Sequence, residues 1–205
     1  MKKAIALLSG GQDSPVAIDL LKNRLDIIAI HFHQMPLTDE QEIEKVKRLQ
    51  KQLGVKKLYL IPYADLFKEI VSKCQHRYYF ILTKIAMIRA AEMIAEKEAA
   101  EFLITGENLS QVSSQTVSNL VSISKPIKLI ILRPLLTYDK IEIMRHGEKI
   151  GTYEISKGPE LCCLLGPKNP ATRSDPEKIK KELEKIPLDD LIHKQLAQAE
   201  IIFIS

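Results

Sequence analysis

Two serines, two glycines, a glutamine and an aspartate stand together at Ser9-Gly10-Gly11-Gln12-Asp13-Ser14, with Pro15 directly after them. Glycine accepts φ > 0 and lets main chain come close to a ligand. A tight turn that feeds a helix start aims several N–H groups, and the positive end of the helix dipole, at one point. The chemistry on offer is anion binding, and the fitting anion is a phosphate. Two common phosphate loops are excluded by spacing. No Lys-Ser/Thr follows a second glycine as a Walker loop requires, and Gly-x-Gly-x-x-Gly is absent.

The other reactive side chains are few. Three cysteines, two of them adjacent, make a poor disulfide framework and suit thiols in a reducing compartment, so a cytoplasmic location is expected. Cys74 falls in a helical pattern with Leu66, Ile70 and Val71, which is a packing position. Cys162 and Cys163 fall in a loop rich in glycine and proline, where successive side chains point opposite ways. His31 and His33 share one face of a strand, yet no third ligand stands near them and no metal site is assigned. Lys84 lies on a largely apolar helix beside Ile81, Ile85 and Ile88; taken alone, it either snorkels to solvent or meets a buried anion. The run from Asn108 to Thr116 offers many neutral donors and acceptors.

The elements that position these groups follow from hydrophobic pattern. Ala4 to Leu8 is continuously apolar, as in a strand buried on both faces, and Val16, Leu20 and Leu21 give the helix after the loop, with Pro15 expected at its first position. Further strands are expected at Leu25–Phe32, Val55–Ile61, Glu101–Thr105 and Lys128–Leu132. Helices are expected over Thr38–Leu53 with a Thr38/Gln41 capping box and a stop at Gly54, from a cap at Asp65 to Cys74, and over Arg77–Lys97, Gln111–Val121 and Thr137–Ile150. Strands alternating with helices predict an α/β fold, a doubly wound five-stranded parallel sheet. Residues 1–173 form the expected main domain and 174–205 a helical C-terminal tail. That tail ends on Ile201-Ile202-Phe203-Ile204, too apolar for solvent, which should add a strand or dock on a neighbour.

Composition sets outer bounds. At 205 residues the chain can bury a full core, and no apolar run reaches membrane-span length. The amino terminus leads straight into the first strand, so no signal peptide is expected. A net charge of +4 permits nucleic acid without arguing for it.

In an open parallel sheet, ligands bind beyond the carboxyl ends of the strands, where strand order reverses. The Ser9–Ser14 loop, His31-Phe32-His33, Gly106-Glu107-Asn108 and Arg133-Pro134 should therefore converge. The loop resembles the Ser-Gly-Gly-x-Asp-Ser loop of PP-loop ATP pyrophosphatases, which hold the β,γ-pyrophosphate of ATP. Three further blocks extend the likeness: Thr105-Gly106-Glu107-Asn108-Leu109-Ser110-Gln111-Val112-Ser113-Ser114-Gln115-Thr116, then Leu132–Leu136 and Gly151–Glu154. In order, they resemble the tRNA 4-thiouridine synthetases of the ThiI family, over Ile5 to about Arg173.

That resemblance implies ATP and Mg²⁺ as cofactors. It puts ATP against Leu7, Leu8, Ser9, Gly10, Gly11, Asp13, Ser14, His31, Phe32, Lys84, Gly106 and Gln115. Asp13 would orient the loop or Mg²⁺, Phe32 would lie against adenine, and Lys84 would meet the triphosphate. Cys162 aligns with the family's active-site cysteine and would carry sulfur to a uridine of tRNA activated as its adenylate, after loading by a sulfur-donor protein. Two departures stand out. The Cys-x-x-Cys that some members carry at the head of the long helix is Phe80-Ile81-Leu82-Thr83 here, and neither a THUMP nor a rhodanese region is recognised. A partner or a homodimer would then complete the RNA-binding surface, or the substrate differs. The other readings are a PP-loop amide ligase and a nucleotide-binding regulator without turnover.

Overall fold

The computed structural model describes residues 1–37, 40–109, 115–157 and 165–204. Its strands are β1 (Lys2–Leu7), β2 (Leu25–His33), β3 (Lys57–Pro62), β4 (Phe102–Ile104), β5 (Ile130–Leu132) and β6 (Glu200–Phe203). They form one sheet in the order β5-β4-β1-β2-β3-β6. The first five are parallel. β6 runs antiparallel to β3, pairing Lys57 with Phe203 and Leu60 with Glu200.

Among the described residues the sheet therefore has six strands where five were expected. Without β6, β3 would leave a row of unpaired backbone groups at the sheet edge. The apolar C-terminal segment covers them, and Gln50 Nε2 adds a bond to the Ile202 carbonyl at 3.4 Å.

The helices are α1 (Asp13–Leu21), α2 (Gln41–Leu53), α3 (Ala64–Lys73), α4 (Tyr79–Glu98), α5 (Val117–Ser124), α6 (Lys140–Lys149), α7 (Tyr153–Ser156), α8 (Pro176–Leu183) and α9 (Leu188–Leu196). Both faces of the sheet are covered, which explains the continuous apolar strands. Ile5, Ile28, Ile30, Ile61 and Leu103 face a core built with α3 and α4, joined by Ile179 of α8 and Ile192 of α9. Ala4, Ala6, Ala29, Leu58 and Ile104 face the other core, with Val16 and Ile18 of α1, Val46 and Leu49 of α2, and Ile143 of α6.

Helix ends show where local chemistry overrules apolar pattern. Asp139 caps α6 in a reciprocal box with Glu142 at 2.7 and 2.8 Å, so the helix begins after Thr137. Thr116 caps α5 three residues before Asn119, and the helix runs to Ser124 rather than Val121; Gln111 to Ser114 lie outside the described residues. Asp65 does not cap α3, which starts one residue earlier behind Tyr63. α1 opens at Asp13, which places Pro15 inside the first turn, where a missing N–H still costs no helical bond. Gly54 ends α2 with φ of 70°, a left-handed conformation that suits glycine. Thr38 lies outside the described residues.

The chain passes from β1 outward to β3, then returns to place β4 on β1's other side. The reversal falls between β1 and β4. This is the crevice where such sheets bind ligands.

Candidate functional site

The loop Ser9–Ser14 crosses the carboxyl end of β1 at that reversal. Its two serines hold its shape. Ser9 N–H donates to Ser14 Oγ at 2.9 Å, the two hydroxyls are 3.1 Å apart, and Gly11 N–H reaches Ser9 Oγ at 3.3 Å. Two loop N–H groups thus already have partners, the second at a long distance that an anion could replace. The preceding strand end is tied down by neighbours: Leu8 N–H donates to the Ile30 carbonyl at 2.8 Å.

Gly106, at the end of β4, explains how loop and strand fit. A Cβ there would lie 2.8 Å from Ser14 N and 2.9 Å from Asp13 C and Ser14 Cα, all main-chain atoms. No side chain fits between β4 and the start of α1. The residue expected to contact ATP thus also sets the seat of the loop.

His31 is buried, and its Nδ1–H donates to the Leu8 carbonyl at 2.9 Å. Burial lowers its pKa to about 4, so the ring is neutral at pH 7 and Nε2 carries a lone pair. Glu42 Oε1 lies 3.9 Å from that Nε2, but a neutral ring makes this a proximity and not an ion pair. Burial also lowers the pKa of His33. Phe32 packs at 4.6 Å, centroid to centroid, on Tyr63, whose hydroxyl donates to the Ala86 carbonyl. Leu8 is buried and Leu7 packs partly into the core.

The carboxyl ends of β4 and β5 carry charge instead. Glu107 is only 2 % exposed, and its Oε2 accepts from Arg133 Nε at 2.6 Å and from Thr105 Oγ1 at 3.0 Å. Its Oε1 has no hydrogen bond and faces Lys84 Nζ at 3.8 Å. Lys84 therefore reaches the site from α4, as the helix pattern allowed, and meets a buried carboxylate there. Gln115 Oε1 accepts from Asn108 N–H at 2.7 Å, and Asn108 Nδ2 donates to the Leu135 carbonyl at 2.8 Å. Sequence reasoning placed Glu107 and Arg133 at the strand ends without a role. The available cue was an acid and a base following strands that pair Ile104 with Leu132.

Cys162 and Cys163 lie outside the described residues. Of the described residues on either side, Ser156 reaches the loop and Leu165 is held by His76. Ser156 Oγ donates to the Gly11 carbonyl at 3.2 Å, and His76 Nε2–H donates to the Leu165 carbonyl at 2.7 Å. Cys74 is buried, its Sγ–H donates to the Glu182 carbonyl at 3.4 Å, and burial pushes its pKa up, as befits a packing residue. Among the described residues no cluster of three metal-ligating side chains exists, and no helix is long and apolar enough to cross a membrane. Among the described residues two open grooves lie off the loop, one of about 390 Å³ between α8 and α9 and one of about 530 Å³ bounded by Leu109, Val121, Leu136 and the site's own Arg133. Neither includes a loop residue.

A doubly wound sheet with this strand–loop–helix at its switch point defines a PP-loop α/β domain. The family model for the thiamine biosynthesis protein ThiI matches residues 1–188, and the chain belongs to that family. A relative from Coxiella burnetii named as a probable tRNA sulfurtransferase is 43% identical over 210 residues, covering 98% of this chain and 53% of its own length. One of the same name from Brevibacillus brevis is 38% identical, covering 97% and 52%. The chain thus spans about half the length of the curated relatives it matches. A solved 4-thiouridine synthetase–RNA complex with bound ATP superposes with a TM-score of 0.95 at 37% identity, over 100% of this chain and 55% of that one. An NMN synthetase from Francisella tularensis, at 15% identity and a TM-score of 0.57, shares the fold.

Proposed function

We propose that this chain binds ATP at the Ser9–Ser14 loop, adenylates a nucleobase oxygen of tRNA, and exchanges it for sulfur carried on Cys162. The likeness to an ATP-bound 4-thiouridine synthetase over the whole of this chain is the observation that carries the reading. The residues present fit a nucleotide. A glycine seat admits no Cβ at Gly106, two small hydroxyls frame the loop, and Lys84 brings a cation from α4. Mg²⁺ would arrive on the phosphate oxygens, with Asp13 as the loop's carboxylate, since Mg²⁺ is commonly held by few protein ligands and substrate phosphates.

The chemistry follows from leaving-group ability. O4 of uridine is a poor leaving group. Attack by that oxygen on the α-phosphate of ATP releases pyrophosphate and turns it into an AMP ester. The terminal sulfur of a Cys162 persulfide then adds at C4, and AMP departs with the oxygen. A thiol attacks Cys162 Sγ and breaks the S–S bond, so the transferred sulfur keeps the electron pair as the thiocarbonyl. A dithiol reductant then reopens the disulfide left on Cys162. tRNA is the substrate on this reading, and a sulfur-donor protein loads Cys162.

The experiment is ATP–pyrophosphate exchange and tRNA thiolation by the wild type and Cys162→Ser. Exchange should depend on tRNA and survive in Cys162→Ser, while thiolation is lost. Exchange that needs ammonia and no RNA would mean an amide ligase. ATP binding without any exchange would mean a regulator. If Cys163→Ser abolishes thiolation and Cys162→Ser does not, the sulfur carrier is the other cysteine.

A further inference from the structure

A second lysine lies across the loop. Lys45, on α2, places its aliphatic stem against the main chain of Gly10: a Cβ on that glycine would lie 3.0 Å from Lys45 Cδ, 3.9 Å from Cγ and 4.0 Å from Cε. One C–N bond beyond Cε, the ammonium is within about 5.5 Å of the same point. Gly10 is buried and Lys45 partly so. Lys47 pairs with Glu44 at 2.8 Å, and Glu42 lies beside His31. Among the described residues Lys45 has no ion pair and no hydrogen bond. A lysine whose stem lies along a phosphate-type loop, with no counter-charge among the described residues, has an ammonium placed to meet an anion bound there.

We infer that Lys45 is a phosphate-binding residue for the terminal, pyrophosphate end of the nucleotide. This rests on the ATP reading above and names a residue in that site. The loop has no lysine of its own, and the cation a Walker loop carries within its sequence is here delivered from another helix. Lys84 comes from α4, on one face of the sheet; Lys45 comes from α2, on the other. The two sit differently. Lys84 has Glu107 as a buried partner at 3.8 Å, whereas Lys45 has no charged partner among the described residues and its stem lies over Gly10. The contact also accounts for Gly10, because any side chain there must displace the lysine stem from the loop.

The test separates the stem from the charge. Lys45→Met keeps a flexible apolar chain over Gly10 and removes the ammonium; Lys45→Gln is a second neutral variant, and Lys45→Arg restores charge. Isothermal titration of the 205-residue chain would use Mg·ATP, inorganic pyrophosphate and AMP. Both neutral variants should bind ATP and pyrophosphate at least about tenfold more weakly, with AMP changed less than about twofold, and Lys45→Arg should recover most of the loss. Equal ATP affinity in wild type and Lys45→Met would overturn the inference and leave ATP binding standing. So would an AMP loss as large as the ATP loss, which would mark a general disturbance of the fold. A wild type that binds neither ATP nor pyrophosphate would overturn both.

Discussion

The loop after β1 and the strand ends of β4 and β5 lie side by side and are built on opposite principles. The loop works by exclusion. It uses glycines and small hydroxyls, its own N–H groups, and a seat at Gly106 where main chain meets main chain at 2.8 Å. The neighbouring strand ends work by charge, with Glu107 buried between Arg133 and Lys84. A buried carboxylate needs its cation, because its desolvation is not recovered otherwise. A tight loop needs only that nothing intrude. Damage to the first region should therefore appear as altered ligand binding with modest stability loss, and damage to the second as lost stability.

The largest effect expected is at Arg133. Arg133→Met removes the 2.6 Å partner of Glu107 and should cost about 3 kcal/mol or more in urea denaturation. Pairing it with Glu107→Leu should recover most of that loss, since no buried charge is then left uncompensated. A single variant costing less than about 1 kcal/mol would erase the contrast between the two regions.

His31, on β2 at the other side of β1, gives a pH test. Its folded pKa, lowered by burial to about 4, lies below the unfolded value of 6.5. Between those values the unfolded chain holds a proton that the folded chain refuses, so stability falls as pH drops through that window. The contribution is complete above the unfolded pKa, and its loss levels off below about pH 4 at about 3 kcal/mol. His31→Asn keeps an N–H for the Leu8 carbonyl and removes the titration. Its acid stability profile should be flatter than the wild type's by about that amount; parallel profiles would show that His31 does not titrate in this way.

The smallest effects separate the two glycines. Gly106→Ala must push main chain apart and should cost about 1–3 kcal/mol while weakening ATP. Gly10→Ala meets only the movable stem of Lys45 and should cost less than about 1 kcal/mol in thermal or urea unfolding. Equal costs would mean that the Gly106 seat is not tight.

How far these features could be read in advance depends on their range along the chain. The parallel order of the first strands and the position of the loop rest on local pattern: a continuous apolar run, two glycines, then helical spacing. The sixth strand depended on where β3's open edge lay, which local pattern does not show, although Ile201–Ile204 was too apolar for solvent. Lys84 was legible as a lysine on an apolar helix, but its pairing with Glu107 spans 23 positions and needed the fold. Lys45 gave no sign at all. It reads as one more charge on an amphipathic helix until Gly10 is found beneath its stem. The Thr137 start of α6 was misplaced because the Asp139–Glu142 box outweighs the apolar pattern at a helix end.

The central claim is that the triphosphate of ATP sits at the β1–α1 loop and not in the groove beside α5. Amide chemical shifts of the ¹⁵N-labelled chain, titrated with Mg·ATP, test it directly. The account predicts the largest shifts at Gly10, Gly11 and Gln12, with Gly106 following because it packs on the loop. Shifts confined to Leu109, Val121 and the Arg133 region, with the loop amides unmoved at saturation, would contradict it.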